Sequence, residues 1–288
     1  MKNTQKKIKE FSIFSAYFHV ITSPLSLWKL LKYLKTIIFK FFGIQFFVKF
    51  GLKKIPVYNI DHEYDEFVPF MPDKVQIYLD FIDFWIRPFS FLIYVLGWKK
   101  AKPYCREFLK LINTTYKSGA EVYFQCMTTT NRPPAGKNKY FKMIHALDPH
   151  YLCIPSLHVA ICVLVIYFYR YVFEKENFST IDKERFWNEI FADGIEITET
   201  VLFVKQHSVN CIPAAVYMML RILDDRFSMN DGVDFIDALF VKTPEVSTEN
   251  AQTIRNHIQF MFEQLILESH HEEDWTVPII RWINELKH

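Results

Sequence analysis

Residues 153 to 173 read CIPSLHVAICVLVIYFYRYVF, and nothing between His158 and Arg170 carries a charge. A bilayer core is crossed by about 20 residues of helix, so this stretch predicts a spanning helix. Pro155 stands just before it as a break, and Ser156 and His158 sit at its start. Two further stretches extend the pattern. Leu79 to Leu96 has the same length and is rich in rings, with Asp80, Asp83 and Arg87 inside it. Such charges are costly in lipid unless they face other helices. Leu30 to Leu52 sets Lys32, Lys35, Lys40 and Lys49 on an aromatic background, which suits an interfacial or snorkelling helix as well as a crossing one.

Composition conceals this pattern. The chain has 288 residues and balances 34 Lys+Arg against 32 Asp+Glu, and its mean hydropathy is only +0.02. Yet 29 Phe and 15 Tyr stand against 7 Gly, which excludes disordered and collagen-like classes. A net charge of +2 gives no nucleic-acid signal. Five cysteines without a C-x-x-C pair indicate neither a zinc site nor a disulfide framework. No small-residue cleavage site follows the basic N-terminus, so no cleavable leader is expected.

The charge of the connecting segments is asymmetric. Residues 1 to 9 hold four Lys, and the segment 99 to 117 holds six Lys/Arg against one Glu, whereas VYNIDHEYDEFVPFMPD at 57 to 73 is acidic. The positive-inside rule puts the two termini and the 99 to 117 segment in the cytoplasm, with the acidic segment on the opposite face. The expected architecture is all-α: a polytopic membrane bundle of about six spanning helices with a small helical tail. Residues 1 to 52 form N-terminal membrane or interfacial helices, 53 to 224 the membrane domain, and 225 to 288 a soluble helical tail with a turn at MNDG.

Three polar clusters fall at the ends of apolar segments: Thr128 to Pro133, Ile154 to His158, and Lys205-Gln206-His207. If the segments near Tyr116 to Thr130, His158 to Phe173 and Arg185 to Lys205 each cross the membrane, Arg132, His158 and His207 lie on one face. A guanidinium, an ammonium and two imidazoles suit phosphoryl transfer, in which cations hold phosphate oxygens, one His attacks phosphorus and the other protonates the leaving alcohol. That chemistry needs no metal.

Together these residues resemble the type 2 phosphatidic acid phosphatase superfamily, and within it the inositol-phosphorylceramide synthase-like branch. Arg132-Pro133 matches the end of its Lys-x6-Arg-Pro motif. Pro155-Ser156-Leu157-His158 matches Pro-Ser-Gly-His with Leu for Gly, and FVKQH at 203 to 207 is similar to the third motif. DEFVPFMPDKVQIYL at 65 to 79 is similar to an early segment of the same branch. The resemblance covers roughly residues 60 to 225. It implies an antiparallel membrane bundle with no metal cofactor and a lipid phosphate as substrate. In it His207 is the nucleophile that becomes phosphorylated, His158 is the acid and then the base, and Arg132, Lys205 and Ser156 bind the phosphate.

The chain departs from the pattern at four positions. Gln125 stands for the first-motif Lys, Thr200 for the third-motif Ser, Val201 for its Arg, and Cys211 for the Asp four residues after the nucleophile. Asn210 is a candidate hydrogen-bond acceptor for His207 in place of that Asp. Glu189, Asp193, Glu196 and Thr200 recur at 4, 3 and 4 on one helical face, which either faces a wet bundle interior and supplies the missing carboxylate or marks a shallow helix. Two alternatives accompany the enzyme reading: a catalytically impaired relative that binds phospholipid headgroups or a membrane partner, and a largely soluble helical protein.

Overall fold

A computed structural model describes residues 4 to 286. Residues 1 to 3 and 287 to 288, and with them the two chain ends assigned to the cytoplasm, lie outside the described residues. The described chain is all-helical. Helices α1 (Ile13–Ile21) and α2 (Pro24–Thr36) are followed by a π-helical stretch, Ile37–Gly43, that runs into α3 (Ile44–Lys49). The bundle proper is α4 (Val75–Leu96), α5 (Trp98–Tyr123), α7 (Leu157–Lys175), α8 (Thr180–Phe203) and α9 (Cys211–Leu223), with the short α6 (Lys139–Leu147) beside it. The tail contributes α10 (Met229–Asp237), α11 (Thr248–Ser269) and α12 (Thr276–Glu285).

The decisive stretch forms α7, and its apolar character is used inside the protein. It contacts α4, α5, α8 and α9, and every residue from Val159 to Tyr169 is at most 1% exposed. A helix that is hydrophobic all round is a core helix or a membrane span. Among the described residues α7 alone has the length and composition to cross a membrane, and here it fills the bundle centre. Ser156 caps it by accepting from Val159 N (3.4 Å), and Asn177, in the left-handed region at φ 52°, ends it.

Two expectations are corrected. The basic segment 99 to 117 is not a loop but lies within α5, whose exposed positions include Lys99, Lys100, Lys110 and Lys117. Such alternation of buried and charged positions at helical spacing makes a surface helix. MNDG is not a turn either, because Ser228 and Asp231 form a capping box that starts α10 there. The tail is tied to the bundle by an Arg170 to Asp231 ion pair (2.6 Å). The Glu199 carboxylate adds to this by accepting from Phe240 N and Thr243 Oγ1, both at 2.5 Å.

A small parallel sheet organises the end of the bundle where the motifs lie. Strands β1 (Val57–Asn59) and β2 (Met127–Thr129) pair with Tyr58 opposite Thr128, and Thr128 also bridges to Leu152. Thr128 Oγ1 accepts from Ile154 N (2.7 Å). The first motif, just after α5, and the approach to the second, just before α7, are thereby held edge to edge.

Candidate functional site

The ends of α7 and α8 bring the two histidines together. α8 stops at Phe203, and Lys205 adopts the left-handed region at φ 52°, which reverses the chain so that the backbone N–H groups of Gln206 and His207 both donate to Val201 O. The turn is braced from outside by the acidic segment: Asp65 Oδ1 accepts from Val209 N (2.8 Å). His207 Nε2 then lies 3.3 Å from His158 Nδ1 and 3.5 Å from Ser156 Oγ. Tyr78 and Phe81 of α4 flank the His158 ring, both with centroids at 4.6 Å.

His158, His207, Tyr78 and Phe81 line the inner end of a cavity of about 470 Å³, together with Asp148, His150, Cys153 and Gln206, and Ser156 lies behind His207 outside the lining. The rest of its wall is mostly apolar and comes chiefly from α2, the π-helical stretch, α4 and α6, with Tyr17 of α1 and Tyr116 of α5. A mostly apolar pocket with a few convergent polar groups is the usual form of a small-ligand site.

The remaining residues singled out by the sequence divide. Arg132 reaches the edge of the site, donating to Gln206 Oε1 and to Asp148 O, both at 3.2 Å. Lys205 turns away, and its ammonium donates to the carbonyls of Asp65 and Val68. Asn210 is buried but turned away from His207, donating to Ile60 O and pairing with His257 (2.8 Å), so it does not orient His207. Gln125 binds Thr276 of the tail (3.0 Å). Thr200 is buried with an unpaired hydroxyl. The acidic stripe is not beside His207. Glu196 is exposed, and Asp193 and Glu196 line a surface hollow with Asp80, Arg87 and Lys9. Polar side chains gather there because water reaches them; α8 buries Phe186, Ile190, Gly194 and Ile195 on its other face and is buried all round from Ile197 to Phe203. The stripe therefore leaves the missing carboxylate unreplaced.

Three residues that the motifs did not point to complete the site. Gln206 joins Arg132 to the pocket wall. Asp148, half-buried, and His150, buried, form a pair in which Oδ1 of Asp148 accepts from His150 N (3.0 Å) and Oδ2 lies 3.8 Å from His150 Nδ1, while Thr130 Oγ1 is 2.7 Å from His150 Nε2. The cluster Asp148-Pro149-His150 just before the second motif is the signal in the sequence that could have found them.

The electrostatics favour an uncharged His207 beside a charged rim. Burial pushes the His207 imidazole well below its ordinary value, and His158 and His150 push the same way, so its ring is neutral at pH 7 and keeps a lone pair for attack. Burial opposes charge on His150 too, but Cys153 and Asp148 outweigh it and hold His150 up to about 9. Burial would raise Asp148, yet His150 and Arg132 bring it down to about 2. His207 Nδ1 is buried with no hydrogen-bond partner. Cys211, which occupies the position of the expected carboxylate, instead accepts from Ser208 N through its sulfur (3.3 Å).

Compared with known proteins, the chain matches no family model, no curated protein and no solved structure.

Proposed function

We propose that the protein is a membrane-bound lipid phosphatase or phosphotransferase of the phosphatidic acid phosphatase type, working through a phosphohistidine on His207. The observation that carries this reading is the placement of His207 Nε2 within 3.3 Å of His158 Nδ1 and 3.5 Å of Ser156 Oγ at the closed end of an apolar cavity. In the first step Nε2 bonds to phosphorus, the ester P–O bond breaks, and the alcohol leaves with a proton from the His158 imidazolium, a form that burial disfavours by pushing this imidazole down to about 4 and that the negative charge of the phosphate favours. In the second, water or an acceptor alcohol attacks phosphorus, the P–N bond breaks, and His158 takes the proton. Ser156 and Arg132 hold phosphate oxygens, and the His150 imidazolium adds positive charge at the rim.

The polytopic arrangement expected from the sequence belongs to this proposal in reduced form. The outer face of α5 carries Lys99, Lys100, Lys110 and Lys117, and α8 exposes Glu184 and Glu196. Each such charge costs about 2.5 to 3.5 kcal/mol at a bilayer centre. Membrane contact through one side of the molecule avoids that cost.

The test is incubation with a lipid phosphate labelled at phosphorus. Acid-labile label on the wild-type chain and none on His207→Ala is the expected result; equal labelling of both, or of neither, overturns the reading.

A second reading, a non-catalytic headgroup binder, is favoured by the unpaired Nδ1 of His207 and by the engagement of Lys205 elsewhere. Cys211→Asp separates the two. In a serine protease the equivalent orienting carboxylate is worth about four orders of magnitude in turnover. Phosphatase activity that rises from a silent background in the Cys211→Asp variant would establish the degenerate state; measurable activity in the parent chain would remove it.

A further inference from the structure

Helix α2 is built inside out. Its buried positions are Ser23 at the N-cap, Ser26, Tyr33 and Thr36. Arg106 donates to Ser26 Oγ and to Ser23 Oγ (both 3.2 Å), and Thr36 Oγ1 donates to Asn113 Oδ1 (2.7 Å). Its outward positions include Leu25, Trp28, Leu31 and Leu34, which are 40 to 56% exposed. A helix at a water-facing surface shows the reverse arrangement. The exposure continues along the whole N-terminal layer, from Phe14 (76%) through Phe39 (60%) to Leu52 (74%). Exposed apolar surface on this scale marks a contact with another apolar phase or partner.

Charge identifies the partner. From residue 11 to residue 56 the chain has seven Lys and no Asp or Glu. Lys32, Lys35, Lys40 and Lys49 are exposed among the aromatic side chains, with Lys32 lying over the Trp28 ring (5.1 Å). An apolar face with lysines that can reach past it suits the headgroup boundary of an anionic leaflet.

The cavity adds the second half. Leu34 and Phe42 of the layer, Ile82 of α4 and Leu147 of α6 both line it and are 38 to 58% exposed, so its mouth opens on the apolar face. Its inner end holds His158 and His207. We propose that α1, α2, the π-helical stretch and α3 lie in the plane of an anionic leaflet, and that the cavity beneath takes one acyl chain of a lipid drawn from it. The headgroup then sits at the two histidines; that last point alone rests on the phosphohistidine reading.

Vesicle flotation of the full chain tests the docking without catalysis. The chain is expected to float with vesicles containing phosphatidylglycerol and far less with pure phosphatidylcholine. Replacing Lys32, Lys35, Lys40 and Lys49 with Gln weakens partition about fivefold for each lysine, with the helical circular dichroism unchanged. Equal retention by both lipids, or a stable dimer that does not float, overturns it. The acyl site is read by quenching with a fatty acid brominated at mid-chain: Trp85 lines the cavity, so quenching is expected in the parent and in His207→Ala, and is reduced in Trp85→Phe. Quenching that is indifferent to Trp85 overturns the acyl site. Flotation and quenching are both made on His207→Ala beside the parent, so their failure leaves the phosphohistidine reading standing, and failure of phosphohistidine labelling leaves the docking standing.

Discussion

Helices α7 and α2 are both composed mostly of aliphatic and aromatic residues, and they spend that apolar surface in opposite directions. α7 is enclosed by four helices and exposes nothing from Val159 to Tyr169 beyond 1%. α2 hides Ser26 and Thr36 and exposes Trp28 and Leu31. Hydropathy ranks α7 as the better membrane helix, yet the packing makes it a core helix and makes α2 the surface that has to be covered. What distinguishes them is the polar face. α7 has none between Val159 and Ile166, its polar contacts beginning with Tyr167 and Arg170 on Asp231, whereas α2 turns serines and a threonine toward Arg106 and Asn113.

The largest effect that sharpens this contrast is a charge placed in each. Leu164 is fully buried near the middle of α7, so Leu164→Lys leaves an unpaired ammonium in the core and is expected to cost about 5 kcal/mol or more, read as loss of the cooperative thermal transition. Leu31→Lys, at a position 48% exposed, is expected to change stability by less than about 0.5 kcal/mol. Equal damage from the two would mean that α2 is packed as tightly as α7, and the contrast would fail.

Next in size is the tie between α8 and the tail. Glu199→Ala removes the acceptor for Phe240 N and Thr243 Oγ1, and the buried N–H left behind is expected to cost about 2 kcal/mol. Melting of the detergent-solubilised chain checks it. Glu196→Ala, three residues earlier and exposed, is the control and is expected to leave the melting temperature in place. The pair tests whether the outer stripe of α8 and its inner end differ as the structure has them.

How much of this is legible in the sequence follows from the same distinction. The apolar helices α4, α7 and α9 are legible from hydropathy and the convergence of His158, Ser156 and His207 from motif order and spacing, whereas α5 and the start of α10 are not, because their charged and turn-forming residues mask the helical period. Arg132 is legible in part: it reaches the site through Gln206 rather than directly. Lys205 and Asn210 are not, because their direction depends on the left-handed turn at Lys205 and on the acidic segment behind it, which no local spacing records. The spacing of Glu189, Asp193 and Glu196 puts them on one face, but which neighbour that face meets is a tertiary fact. The sequence pattern predicts about six spanning helices, and among the described residues α7 alone has the length and composition of one, because charges such as Asp80, Asp83 and Arg87 in α4, Lys110 in α5 and Glu196 in α8 interrupt the others.

Titration separates the site end from the rest of the bundle more gently. His150 is held up to about 9, so its contribution to stability is complete below pH 6.5 and is lost as pH rises toward 9. Asp148 is held down to about 2, so its contribution is present above pH 4 and is lost as pH falls toward 2. Burial would raise Cys153, yet Cys211 and His150 hold it down to about 6, so its contribution grows over the window in which that of His150 is lost, and the two offset on the alkaline side. Stability is therefore expected to decline on the acid side of a plateau, and Asp148→Asn to flatten that limb. An unchanged acid limb in that variant would place the titrating group elsewhere. Ser156→Ala, which removes the N-cap of α7, is expected to cost about 1 kcal/mol at every pH.

The smallest stability effect bears most directly on α2. In a helix that faces its protein with apolar residues, Leu→Ser is the damaging change and Ser→Ala is neutral. Here the order is reversed, since Ser26 is fully buried and accepts from Arg106 Nε, while Leu31 projects outward. Ser26→Ala is expected to destabilise by about 1 kcal/mol by leaving that guanidinium N–H without its acceptor. Leu31→Ser is expected to stay within about 0.5 kcal/mol of the parent, yet to lower vesicle partition, because apolar area that the fold does not use is area the leaflet uses. Thermal melts and flotation measured on the same two variants give a crossed pattern if α2 is inverted: the buried serine governs the melt, and the exposed leucine governs the binding. A Leu31→Ser variant that melts lower and floats as well as the parent would mean that Leu31 packs against the protein after all.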